Sequence, residues 1–224
     1  MILLTGGSGL LGTELQRHIE CYAPSKDKFD ITDSSLQAPD KTSLIIHAAA
    51  YTNVNDAETH KDECYRINVT GTKNIVKLGI PIIYISTDSV FGGEIGNYKE
   101  GNIPYPSNFY SLTKLLGEGE VYGGNNVIIR TSFKPNPWKS EYAFTDQYSS
   151  AEYVDEIALK ISKLIRLYPE LPNIVHVGGK RISSYDLAIQ TRPDVKPISI
   201  HDIPDVLRPH DTSLNCSLME ELLA

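Results

Sequence analysis

A short strand that ends in a glycine turn narrows the possible folds of this chain more than any other feature. Ile2-Leu3-Leu4-Thr5 is apolar and runs directly into Gly6-Gly7-Ser8-Gly9-Leu10-Leu11-Gly12. Glycines at 6, 9 and 12, set between a strand and an amphipathic helix, serve three needs: a tight turn, a backbone bare enough for a pyrophosphate to approach, and a close helix-to-strand contact. The helix that follows turns free N–H groups and the positive end of its dipole to the same place. The spacing predicts a dinucleotide site with Gly6, Ser8, Gly9, Leu10, Leu11 and Gly12 against the phosphates. A glycine-rich turn without a ligand is the plain alternative.

The rest of the chain repeats the same alternation of apolar runs and helical patterns, the mark of βαβ units and a parallel sheet. Strands are expected at Ile2 to Thr5, weakly at Cys21 to Ala23, and at Ser43 to Ala49, Pro81 to Ser86, Val127 to Arg130 and Asn173 to Val177. Helices are expected over Leu10 to Ile19, through Cys64, Ile67, Gly71, Ile75 and Leu78, over Phe109 to Tyr122, from Val154 to Tyr168, after a Ser183 or Ser184 cap, and over Ser217 to Leu222. Arg192 to Pro209 holds four prolines and little periodicity, which places it on the surface. The 224 residues hold one full α/β domain that buries roughly 70 to 75% of its unfolded surface. The expected fold is α/β: a Rossmann-type, doubly wound parallel sheet with a small C-terminal substrate-binding part. Residues 1–135 form the dinucleotide-binding domain and 136–224 the reduced substrate-binding part, with about 150–178 returning to the Rossmann core.

Composition excludes several classes. A net charge of −7 without a Lys/Arg cluster weighs against nucleic acid as partner. The N-terminus lacks the basic start and long apolar stretch of a signal peptide, and no later segment approaches the roughly 20 apolar residues that cross a bilayer. Cys21, Cys64 and Cys216 are odd in number and widely spaced, as reduced thiols are, so a cytoplasmic location is expected. The six histidines show no paired metal spacing, and no metal is expected.

No acidic residue marks the end of strand two, where the ribose 2′-hydroxyl of NAD would be bound. Ser25 and Lys26 stand there instead, a hydroxyl and an ammonium suited to the 2′-phosphate of NADP. A solvated surface lysine is the alternative. Asp30-Ile31 matches the acid-plus-aliphatic pair that meets adenine in this type of fold, with a plain turn carboxylate as the alternative. NADPH is the expected cofactor, with NADH as the second choice.

Tyr110 and Lys114 lie four residues apart, on one helix face. Tyr22 and Lys26 share that spacing, but they precede the second strand and have no hydroxyl-bearing strand end upstream. Tyr110 follows Ile83-Tyr84-Ile85-Ser86-Thr87-Asp88, which brings Thr87 to the C-terminal end of a central strand. Ketone reduction needs a hydride from a nicotinamide and a proton for the developing alkoxide. A phenol can give that proton if its pKa falls from about 10 toward neutrality, and an adjacent ammonium favours the phenolate. Thr87 would hold the carbonyl oxygen toward the phenol.

With these residues in hand, the chain resembles the extended short-chain dehydrogenases, and most closely the dTDP-4-dehydrorhamnose reductase group. The likeness rests on the glycine turn, Asp30 to Asp33, His47 to Thr52, Ile67 to Val69, Ser86-Thr87-Asp88-Ser89-Val90-Phe91, Tyr110 to Lys114, Arg130 to Ser132, Asp146-Gln147, Arg208-Pro209 and Ser213-Leu214. The resemblance implies that Ala48, Ala49, Ala50, Tyr51 and Thr52 line the cofactor, and that Tyr110 and Lys114 also contact it. It also implies that Thr87 and Asp88 meet the sugar, and that Thr87, Tyr110 and Lys114 carry catalysis. Phe133 stands where the group usually has a tryptophan beside the substrate, which keeps an aromatic wall and alters its shape. The stretch from Lys134 to Thr145 is shorter than in the group and lacks a helix that helps cover the sugar.

The implied activity is NADPH-dependent reduction of the C4 ketone of dTDP-4-dehydro-L-rhamnose or a related nucleotide sugar. A binding module is the competing class, because the regulatory beta subunit of methionine adenosyltransferase resembles the same group and works by binding NADP and a partner protein. Epimerisation is a third reading. Dehydration is disfavoured because Ser89, and not a glutamate, follows Asp88. A nucleotide sugar is the expected partner, and a homodimer is the assembly this reading keeps open.

Overall fold

The computed structural model describes residues 1–203 and 208–224. Its central sheet has five parallel strands, β1 (Ile2–Thr5), β2 (Leu44–His47), β3 (Ile82–Thr87), β4 (Val127–Thr131) and β9 (Ile174–Val177), in that spatial order. The weak second strand contracts to a single bridge between Leu3 and Tyr22, with Leu4 N–H donating to the Tyr22 carbonyl and Tyr22 N–H to the Ile2 carbonyl, each at 2.9 Å. Pro24 brings no N–H to the ladder and cuts the pairing short. The chain leaves β1 toward Tyr22 on one side and returns to β2 on the other. That reversal opens a crevice beyond the carboxyl ends of the strands, where doubly wound folds bind ligands.

Strand side chains alternate between two apolar layers, as period-two geometry requires. Leu4, Ile46, Ile83, Ile129 and Val175 face α1 (Leu10–Leu15), α6 (Val154–Ile165) and α8 (Ser217–Leu223), meeting Leu11, Leu15, Ile157, Ile161 and Met219. Leu3, Ile45, Ile82, Tyr84 and Ile128 face the opposite layer, which contains Ile75 of α4 (Thr72–Val76) and Val121 of α5 (Phe109–Val121). Each fully buried aliphatic side chain of this kind contributes about 1.5–3 kcal/mol relative to exposure. Helix α1 is shorter than its apolar pattern suggests, because Arg17 and His18 donate to carbonyls three residues back and tighten its end.

The single helix expected through Cys64 and Leu78 is α3 (Lys61–Tyr65), a π-helical turn (Arg66–Gly71) and α4; the short α2 (Val54–Ala57) precedes them. The wide turn carries Asn68, which is buried and bonds both main-chain groups of Tyr51: its amide oxygen accepts from Tyr51 N–H at 2.7 Å and its amide nitrogen donates to the Tyr51 carbonyl at 3.1 Å. A third bond, from the Asn68 amide nitrogen to Thr113 Oγ1 at 2.9 Å, ties this turn to α5.

After β4 the chain builds small pairs outside the sheet. β5 (Phe133–Lys134) runs parallel to β8 (Glu152–Tyr153), β6 (Tyr142–Phe144) parallel to β11 (Lys196–Ile198), and β7 (Tyr148–Ser149) antiparallel to β10 (Ile182–Ser183). Ser183 caps α7 (Ser184–Ala188), accepting from Asp186 N–H at 2.9 Å. Helix α6 and strand β9 belong to the central layers. Within the proline-rich stretch Arg192 to Pro209, Lys196–Ile198 is β11 and Val195 is buried, while 204–207 lie outside the described residues. Among the described residues no helix is long and apolar enough to cross a membrane, and no cluster of three His, Cys, Asp or Glu could hold a metal ion.

Candidate active site

A cavity of about 630 Å³ follows the carboxyl edge of the sheet from the glycine turn to the start of α5. Strand ends supply its floor: Thr5 of β1, Ser86 and Thr87 of β3, Thr131 of β4. At one end are Gly6, Ser8, Gly9, Leu10, Leu11 and Gly12, then Lys26, Asp30 and Ile31, then Ala48, Ala49, Ala50 and Thr52. At the other are Thr87, Asp88, Tyr110, Lys114 and Phe133. Of the residues expected here from sequence, Tyr51 does not line the cavity. Its N–H is bound by Asn68, and its hydroxyl turns away to the Asp56 carboxylate, which pushes the phenol up to about 12. Ser25 does not line the cavity either.

The turn is a cradle that side chains would fill. Gly6 has φ +74°, a left-handed conformation suited to glycine, and a Cβ there would meet Ala49 N at 2.6 Å. A Cβ on Gly12 would collide with the Gly6 carbonyl oxygen, and one on Gly9 would stand 3.2 Å from the same atom. No side chain caps α1. This bare backbone fits a pyrophosphate. Farther along, the Asp30 carboxylate accepts from Thr32 N–H and from the Thr32 hydroxyl, both at 2.9 Å, and these bonds hold it below the usual carboxylate range. Arg66 donates to the same hydroxyl at 2.9 Å. Both bonds reach Oδ1 and anchor Asp30 in the loop, and Lys26 lines the cavity with it.

At the far end, Asn108 accepts from Ser111 N–H at 2.9 Å and fixes the start of α5, so Tyr110 and Lys114 enter the cavity one turn apart. Lys114 Nζ donates to the Ile85 carbonyl at 2.8 Å and lies 4.0 Å from the centroid of the Tyr84 ring. Burial pulls this ammonium down to about 7, while Glu118, one turn farther along α5, pulls it back up. Burial also raises the Tyr110 phenol well above its ordinary value, the Asp88 carboxylate adds to the rise, and the Thr87 hydroxyl opposes it. Asp88 is itself raised by burial. Its Oδ2 accepts from Thr212 at 2.7 Å, and its Oδ1 accepts longer bonds of 3.3 Å from Thr87 and Ser89.

Sequence reasoning missed several residues. Thr131, Ser132 and Lys134 continue the wall on either side of Phe133, and Ser86 and Ser89 flank Thr87 and Asp88. Beneath them Glu118 and Arg130 form a buried bidentate pair, Nη2 to Oε2 at 2.7 Å and Nε to Oε1 at 3.0 Å, with the Ser86 hydroxyl donating to Oε1 at 2.5 Å. Glu118 was findable: Tyr110, Lys114 and Glu118 continue one i, i+4, i+8 stripe.

Known proteins bear on this arrangement. The dTDP-4-dehydrorhamnose reductase of Aggregatibacter actinomycetemcomitans is 27% identical over 98% of this chain and 92% of its own length. That alignment covers 270 positions against 224 residues here, so the relative carries internal segments that this chain lacks. The methionine adenosyltransferase 2 subunit beta of Bos taurus is 25% identical over 99% of this chain and 82% of its own length. Among solved structures, the dTDP-4-dehydrorhamnose reductase of Bacillus anthracis str. Ames, in complex with NADP, superposes with a TM-score of 0.85 at 27% identity, covering 98% of this chain and 92% of its own. Residues 1–134, which supply the cradle and every expected residue of the cavity, match the RmlD substrate binding domain, and the chain belongs to that family.

Proposed function

We propose that this protein is a cytoplasmic, NADPH-dependent oxidoreductase that reduces the C4 ketone of a nucleotide-linked 6-deoxy-4-keto sugar, dTDP-4-dehydro-L-rhamnose or a close analogue. One observation carries the reading: a single cavity joins the glycine cradle to Thr87, Tyr110 and Lys114. The cradle holds the pyrophosphate, Lys26 meets the 2′-phosphate, and Ala48, Ala49, Ala50 and Thr52 border the dinucleotide. Bound NADPH supplies the hydride.

The chain's own residues do the rest. Thr87 donates its hydroxyl to the ketone oxygen and orients it toward Tyr110. Burial raises the Tyr110 phenol, the reverse of the fall toward neutrality expected from the Tyr110 and Lys114 spacing, so the site holds it protonated until it gives that proton to the alkoxide that forms. Lys114, the nearby cation, stabilises the phenolate left behind. Asp88 accepts from a sugar hydroxyl, and Phe133 walls the ring. Purified protein mixed with NADPH and dTDP-4-dehydro-L-rhamnose should lose the reduced-nicotinamide absorbance and form dTDP-L-rhamnose. No loss with this sugar or its close analogues would refute the reading.

The similarity to methionine adenosyltransferase 2 subunit beta over nearly the whole chain favours a second reading, an NADP-binding regulatory subunit. Tight NADPH binding with no turnover of any keto sugar would select it.

A further inference from the structure

We propose that Lys134 and Asp88 form a split charge pair that a hydroxyl of the sugar substrate bridges, which makes Lys134 a specificity-determining residue of this site. The inference rests on the reductase reading for the identity of the sugar, and on the cavity for everything else. Both residues line the cavity, next to Thr87, Tyr110 and Phe133. The parallel pairing of β5 with β8, Lys134 opposite Tyr153, fixes the lysine backbone at the wall, and its Nζ lies 6.0 Å from the Trp138 ring centroid. No direct ion pair closes between Lys134 and Asp88 at 4.0 Å or less among the described residues. Each nevertheless feels the other's charge: Lys134 is the cation that lowers the Asp88 carboxyl against its burial, and Asp88 raises the Lys134 ammonium against its own.

Two opposite charges that line one cavity and sense one another without a direct ion pair define the chemistry of a group that joins them. The ammonium only donates, and the ionised carboxylate only accepts. A group between them must accept from one and donate to the other, which a hydroxyl does and a ketone or phosphate oxygen does not. Asp88 Oδ1 retains capacity for that bond, since its partners Thr87 and Ser89 are both at 3.3 Å, whereas Oδ2 is held by Thr212 at 2.7 Å. The other ionisable groups that face the pair are Tyr110 from α5, whose phenol Asp88 raises, and Arg208, which lowers Lys134. Thr87, Ser89 and Thr212 are uncharged. Lys134 thus also offsets the carboxylate beside the proposed proton donor.

The test follows the Asp88 carboxyl carbon by NMR titration in the wild type, Lys134→Met and Lys134→Arg, and measures binding of dTDP-L-rhamnose, dTDP and NADPH by calorimetry. In Lys134→Met the Asp88 midpoint should rise by about one pH unit or more, and Lys134→Arg should restore it. Lys134→Met should bind dTDP-L-rhamnose about tenfold or more weakly while holding dTDP and NADPH as before, since one charge-assisted bond to the sugar is lost. An unchanged Asp88 midpoint in Lys134→Met, or equal losses for dTDP and dTDP-L-rhamnose, would overturn the proposal. The carboxyl titration requires no turnover: a wild type that binds no dTDP-L-rhamnose and reduces no keto sugar would defeat the reductase reading, while the titration still decides the charge pair.

Discussion

Lys114 donates to the main-chain carbonyl of Ile85 at 2.8 Å and, among the described residues, pairs with no carboxylate. The Tyr84 ring lies 4.0 Å from its ammonium, so the charge is held by a dipole and an aromatic face. Neither compensates fully for the water removed, and burial pulls the group down to about 7. The arrangement fixes a lysine beside Tyr110 whose charge is adjustable near neutral pH.

The pH dependence of reduction follows from that value. Lys114 is charged below its pKa and neutral above it, so phenolate stabilisation is present at acidic pH and is lost as pH rises through about 7. Tyr110, raised by burial, stays protonated across this window. The kcat/KM profile, which reports the free enzyme, should fall on the alkaline side with a midpoint near 7. A flat profile through that midpoint and beyond would remove Lys114 from this role.

Tyr110→Phe deletes the proton donor and leaves the ring. Ketone reduction should fall by about 10²- to 10⁴-fold, the usual range for a positioned acid. NADPH affinity, measured by fluorescence, should stay nearly unchanged because the cradle lies at the other end of the cavity. Equal activity in the variant would cancel the assignment.

Much of this site was legible because its signals are local. The glycine spacing, the Thr87 strand end and the Tyr110/Lys114 pair each lie within a few residues, and all of them line one cavity. What was not legible depends on distant partners. Tyr51 sits inside the cofactor-side loop, yet Asn68, 17 residues away, sets the backbone and Asp56 takes the hydroxyl. Lys134 carries no motif, and its place beside Asp88 requires β4 to deliver the chain to β5. The one-helix reading through Cys64 and Leu78 failed because apolar periodicity does not register a π-helical turn that inserts Asn68.

Gly12→Ala places a methyl group on the Gly6 carbonyl oxygen, where only main-chain atoms could give way. Gly119→Ala, in α5, places one in open space. The first variant should lose NADPH binding and melt well below the wild type. The second should keep both binding and stability. Calorimetric melts and a cofactor titration separate the two; wild-type behaviour in Gly12→Ala would contradict the cradle.

Lys26→Ala should weaken NADPH more than NADH, because Lys26 lines the cavity and only NADPH carries the 2′-phosphate. Removing one exposed cation from a phosphate should cost about tenfold or less. Parallel titrations with both cofactors give the ratio, and equal losses would place the 2′-phosphate elsewhere.

The central claim is that one cavity delivers a hydride to a sugar ketone held at Thr87 and Tyr110. Its most direct measurement uses NADPH carrying deuterium at the transferred position of the nicotinamide, with dTDP-4-dehydro-L-rhamnose and mass analysis of the sugar product. The account predicts one deuterium at C4 of each dTDP-L-rhamnose formed, and almost no labelled product from Tyr110→Phe. Cofactor oxidation with no label in the sugar, or equal labelling by Tyr110→Phe, would contradict it.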